Sequence, residues 1–193
     1  HISEEKVLNR IHPDKDVDLC AMPIAPLINL ARSKGKELFY ITFDASALPD
    51  KKLLEDMSAL EDIVMVGYPN GIWDNKNNKP IFRKGITATD VIFDYCGRKE
   101  FVIDAACFPG SSGSPVIIFN QGMYTDKYGN TYAGASRIRL LGILYAGPQA
   151  IAQGEVHTVK IPTVDKNIAI SRIPNNLGYV IKAERILELE KLF

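Results

Sequence analysis

The feature that most constrains this chain is its rhythm of short, β-branched apolar runs broken by turn residues. DIVMVGYP (62–69), EFVIDAACF (100–108), SPVIIF (114–119), SRIRLLGILYAG (136–147) and LGYVIKA (177–183) all have strand length and strand composition. KVLNRI (6–11), DLCAMPI (18–24), ELFYITF (37–43), PIFRKGITATDVIF (80–93) and GEVHTVKI (154–161) extend the series. Between them stand YPNGIWDNKNNKP, CGRK, TDKYGN and PNN, which are rich in the residues that reverse a chain. Helix signals are few. LPDKKLLEDMSAL (48–60) has Pro49 near its start, and AERILELEKLF closes the chain as a short amphipathic helix. The expected class is all-β, an antiparallel barrel or sandwich with a C-terminal helix.

Charge narrows the functions. Twenty-three basic and 23 acidic side chains cancel, so the positive footprint of a nucleic-acid binder is lacking. No apolar run approaches the ~20 residues that cross a bilayer, and no membrane partner is expected. Cys20, Cys96 and Cys107 have neither CxxC spacing nor an even count, so they predict reduced thiols. The opening HISEEKVLNR has no signal-peptide pattern, which with those thiols leans the expectation towards the cytoplasm. It also lacks a Met and starts abruptly, so an upstream portion is expected. The histidines are scattered and no carboxylates cluster at ligand spacing; neither metal nor cofactor is implied.

FPGSSGSPVI (108–117) carries the chemistry. Strand-like sequence on both sides argues against a linker. A phosphate loop needs a Lys and a following helix, whereas Pro115 and a β-branched run follow here. A nucleophile elbow wants Gly-x-Ser-x-Gly opening a helix, and position 114 is Ser. What remains is either a plain reversing turn or a loop that presents Ser112 between glycines. In the second case the amides of Gly110 and Ser112 can converge on a developing oxyanion.

DAACFPGSSGSPV (104–116) resembles the nucleophile loop of chymotrypsin-fold (trypsin-like) serine proteases, most of all the bacterial high-temperature-requirement, or Deg-type, branch. Asp104, Ala105, Ala106, Pro109, Gly110, Ser112, Gly113 and Pro115 match that pattern, while Ser114 replaces a glycine. HPDKDVDLCAMPI (12–24), IVMVGYPNG (63–71) with RKGITAT (83–89), RLLGILYAG (139–147) and NNLGYVIKA (175–183) follow the family's order. The resemblance implies a double antiparallel β-barrel with its site between barrels. Residues 1–61 would be the remainder of the first barrel and the inter-barrel segment, 62–183 the second barrel with the nucleophile loop, and 184–193 the terminal helix. It further implies a serine endopeptidase acting on polypeptides, with Ser112 as nucleophile, Asp18 as triad acid, and Gly110 and Ser112 as oxyanion hole.

A serine hydroxyl needs a base, and the base needs an acid to orient it. The family's histidine precedes its aspartate by several strands. His12 sits in a His-Pro turn close to Asp18, His157 follows the serine, and His1 has no strand before it. The base is therefore expected upstream of His1. The rival expectation is a protease-like module without a base, binding extended peptides or a partner protein; ester hydrolysis at the same site is a third. The resemblance places Ala106 at the floor of the primary pocket, with Tyr145, Ala146 and Gly147 as its wall. With no acid at that floor, it implies small or medium aliphatic residues there rather than Arg or Lys.

Overall fold

The computed structural model describes residues 10–153 and 170–193. A two-residue ladder, β1 (Arg10–Ile11) with β2 (Cys20–Ala21), comes first, then helix α1 (Ala25–Ser33) and helix α2 (Lys51–Asp56). The strands that follow are β3 (Asp62–Gly67), β4 (Ile81–Thr87), β5 (Glu100–Asp104), β6 (Pro115–Asn120), β7 (Met123–Thr125), β8 (Thr131–Ala133), β9 (Arg137–Ala146), β10 (Gln149–Gln153), β11 (Ile170–Pro174) and β12 (Leu177–Lys182). Helix α3 (Glu184–Leu187) and a 3₁₀ stretch (Glu188–Leu192) end the chain.

Six of these strands close an antiparallel barrel in the order β12-β5-β4-β3-β6-β9. Closure leaves the barrel without an open edge, which suits strands this apolar. Alternation decides which side chains face inwards. Ile63 and Met65 from β3, Val116 and Ile118 from β6, and Phe101 and Ile103 from β5 are all fully buried. Leu141 and Val180 join them from β9 and β12. One strand crossing is so close that only glycine fits. A Cβ on Gly142 would stand 2.1 Å from the Ile181 carbonyl oxygen. Two further two-stranded ladders, β7–β8 and β10–β11, pair outside the barrel.

The sequence expectation of a mostly-β chain with a C-terminal helix holds. Residues 51–56 are helical inside the expected 48–60, capped by Asp50, whose carboxylate accepts from the Leu53 amide at 2.7 Å. The segment before α2 departs from expectation. Residues 25–33 form a helix with proline in its first turn and Gly35, at φ +67°, just past its end. Residues 37–43, expected as a strand, have no regular structure, and Phe39 and Ile41 are 83% and 80% exposed. A strand needs a neighbour to satisfy its backbone, and none among the described residues pairs with it. Of the strand expected at 6–11 only Arg10 and Ile11 are described, and the one expected at 154–161 lies outside the described residues.

One buried ion pair ties the barrel to the segment before it. Glu61 accepts from Arg137 Nη2 at 2.5 Å and from the Ser58 amide at 2.8 Å. Arg137 Nε donates to Asn120 at 2.9 Å, and its guanidinium lies 4.6 Å from the Tyr124 ring centre. Arg137→Met should strand the Glu61 carboxylate in the interior and lower unfolding free energy by about 3–5 kcal/mol. Urea unfolding followed by tryptophan fluorescence measures this; a loss below about 1 kcal/mol would mean that Glu61 is solvated.

Candidate functional site

The Gly-Ser run occupies the Ala105–Ser114 loop between β5 and β6. Local backbone bonds coil it, with Ser111 N donating to Phe108 O at 3.0 Å and Ser114 N to Ser111 O at 3.1 Å. Two further bonds fasten it to β9. Gly113 N donates to Leu144 O at 2.7 Å, and Leu144 N to Ser114 O at 2.9 Å. On the opposite side the Asn70 amide, from the Pro69–Gly71 turn, donates to Pro109 O at 2.7 Å. Gly110 and Gly113 adopt φ of +82° and +85°, a region that side chains disfavour. A Cβ on Gly110 would also meet Tyr68 O at 3.1 Å and Asn70 N at 3.2 Å. The loop is rigid by bonding and by sterics together.

This geometry leaves Ser112 exposed, its hydroxyl donating to Tyr145 O at 2.9 Å. Among the described residues, the amides of Gly110 and Ser112 donate to no carbonyl or side chain. Beside them opens a pocket of ≈ 250 Å³ lined in part by Cys107, Pro109, Ser111, Ser112, Ala146 and Gly147. A hydroxyl, two unpaired amides and a pocket thus share one loop. That combination suits attack on a carbonyl whose oxygen becomes anionic.

The other sequence-predicted residues are distributed as follows. Tyr145 contributes its carbonyl here, but its side chain turns to the outer barrel face, where its hydroxyl donates to Glu100 Oε2 at 2.9 Å. Burial, and then the Glu100 bond, push the Tyr145 phenol up to about 12. Ala106 lines a different depression, with Gly85, Asp104, Ala105 and Asn176, so Cys107 and Ser111 wall the Ser112 pocket where Ala106 was expected. Asp18 is exposed in the β1–β2 connection and is not among the pocket's lining residues. That hairpin is bound instead to the C-terminal helix. Asp14 Oδ2 accepts from Arg185 at 2.6 Å, and the buried His12 imidazole places Nε2 3.4 Å from Glu188 Oε2. His12 Nδ1 accepts from the Asp14 amide at 3.1 Å. His1 and His157 lie outside the described residues.

The sequence reading missed Arg83. Its guanidinium donates through Nη1 to the Ala106 carbonyl and to Ser111 Oγ, the latter at 2.9 Å, and Ser111 is one of the pocket's lining residues. Burial lowers its pKa from the usual guanidinium range. The available signal was phase, since alternation along β4 sets Arg83 on the face of the fully buried Thr87.

No family model, curated protein or solved structure matches this chain.

Burial raises the Cys107 thiol to about 11, partly offset by the neighbouring Arg83 charge. Cys20 and Cys96 are exposed. Brief iodoacetamide treatment at pH 8, read by peptide mass spectrometry, should modify Cys20 and Cys96 and spare Cys107. Preferential alkylation of Cys107 would show a reactive thiolate in the pocket and contradict this environment.

Proposed function

We propose that the chain is the catalytic part of a chymotrypsin-like serine endopeptidase, with the six-stranded barrel as the second of two. The observation that carries this reading is the exposed Ser112 hydroxyl held beside the unpaired Gly110 and Ser112 amides. The match of residues 104–116 to the Deg-type nucleophile loop supports it, and so do Ala146, the last residue of β9, and Gly147 after it, which line the pocket. A substrate in extended conformation would lie along these residues by strand addition.

In this reading Ser112 Oγ bonds to the scissile carbonyl carbon while a base takes its proton. The oxyanion accepts hydrogen bonds from the Gly110 and Ser112 amides, and the protonated base then delivers its proton to the departing amine as the C–N bond breaks. Water hydrolyses the resulting ester and restores the serine. Before attack, Ser112 must release the Tyr145 carbonyl and turn towards the base. Asp18 and an upstream histidine are the acid and base that the resemblance supplies.

A second reading has its own support. Among the described residues the histidine present, His12, is committed to the C-terminal helix, and Asp18 stands outside the pocket. A chain without a base would keep the cleft and bind peptides without turning them over.

Treatment with a fluorophosphonate, followed by peptide mass spectrometry, discriminates the two. The endopeptidase reading expects an adduct on Ser112, abolished in Ser112→Ala, with peptide turnover falling by about 10³-fold or more. Peptide binding without any adduct favours the second reading. An adduct at another serine would sink both assignments of the loop.

A further inference from the structure

Arg83 is a cation in an unusual predicament. Its Nη1 makes both of its hydrogen bonds, to the Ala106 carbonyl and Ser111 Oγ, while Nε and Nη2 are buried without an acceptor. No carboxylate among the described residues forms an ion pair with it. A buried guanidinium without a counter-charge is costly to fold and persists only where something offsets it.

Ser111 shows where the offset would come from. The residue is 1% exposed yet lines the pocket together with Ser112. Because its oxygen accepts from Arg83, its single O–H is free to donate, and no described residue accepts from it. A hydroxyl polarised by a cation and lacking a protein acceptor calls for an anionic acceptor in the pocket. The neighbouring Cys107 is held neutral and adds no repulsion. Pro109, Leu144, Ala146 and Gly147 supply the apolar surroundings that a short methylene stem would meet.

We infer that this pocket takes an acidic side chain, aspartate or glutamate, immediately before the scissile bond, with Ser111 as the hydrogen-bond donor and Arg83 as the charge behind it. The inference rests on the endopeptidase reading. It replaces the aliphatic preference expected from the sequence, which depended on Ala106 lying in this pocket. Arg83 acts through Ser111 and is a positioning residue.

Peptidyl diphenyl phosphonates differing only in glutamate or glutamine at the residue in question test this, with Ser112 adduct formation as the rate readout. The protein with the upstream base that the endopeptidase reading invokes should react with the glutamate probe about 10-fold faster or more, the scale of one charge-assisted hydrogen bond. Arg83→Met and Ser111→Ala should each bring the ratio close to one. A ratio is read within one sample, so a partly unfolded variant still reports it, and the conserved-charge variant Arg83→Lys should retain a preference for glutamate. A wild-type ratio of one or below overturns the inference and leaves the endopeptidase reading standing. A ratio unchanged in both Arg83→Met and Ser111→Ala overturns the assignment of these two residues. Absence of any Ser112 adduct, with the unselective fluorophosphonate included, overturns both.

Discussion

Two backbone hydrogen bonds between the Ala105–Ser114 loop and β9 govern the site. Gly113 N to Leu144 O and Leu144 N to Ser114 O engage the loop's Gly113 amide and its Ser114 carbonyl, while among the described residues the amides of Gly110 and Ser112 have no acceptor. The turn at Pro69–Gly71 grips the same loop from the far side through Asn70. Held at both ends, the loop has little freedom to collapse onto its own amides. In the proposed endopeptidase reading this makes the loop preorganised, since orienting donors during folding removes that cost from the chemical step.

The barrel makes those bonds possible. Closure from β12 round to β9 fixes Leu144 opposite Ser114, and the Gly142 contact with the Ile181 carbonyl sets how closely β9 and β12 approach. Arg83 belongs to the same design, reaching from β4 to the underside of the loop. The hairpin carrying His12 and Asp18 belongs to another unit of packing. It is attached through Asp14–Arg185 and His12–Glu188 to the C-terminal helix, so its position follows the helix rather than the pocket.

What the sequence made legible follows physical lines. β3 alternates cleanly, β6, β9 and β12 are largely apolar runs with consecutive buried residues, and each of the four lies within a residue or two of its expected run. That the loop presents Ser112 between glycines was one of two readings open in the sequence, and the positive φ of Gly110 and Gly113 accords with it. α1 was obscured because CAMPI resembles the end of a strand, although Pro26 and Gly35 bracket the helix as start and stop signals. Residues 37–43 have strand composition, but composition cannot supply the partner a strand requires. Ala106 was assigned to the pocket by resemblance alone, while the loop's path turns it to the opposite side. Arg83 escaped because a charged residue in a strand reads as solvent-facing, and its burial depends on β5 and the loop folding over it.

Amide hydrogen exchange by NMR tests the preorganised loop most directly. Gly113, Ser114 and Leu144 should exchange slowly, as hydrogen-bonded amides of a closed barrel do, while Gly110 and Ser112 in the same loop exchange fast. Protection of Gly110 and Ser112 equal to that of Leu144 would mean that these amides already have partners, and would contradict an oxyanion-binding role for this loop.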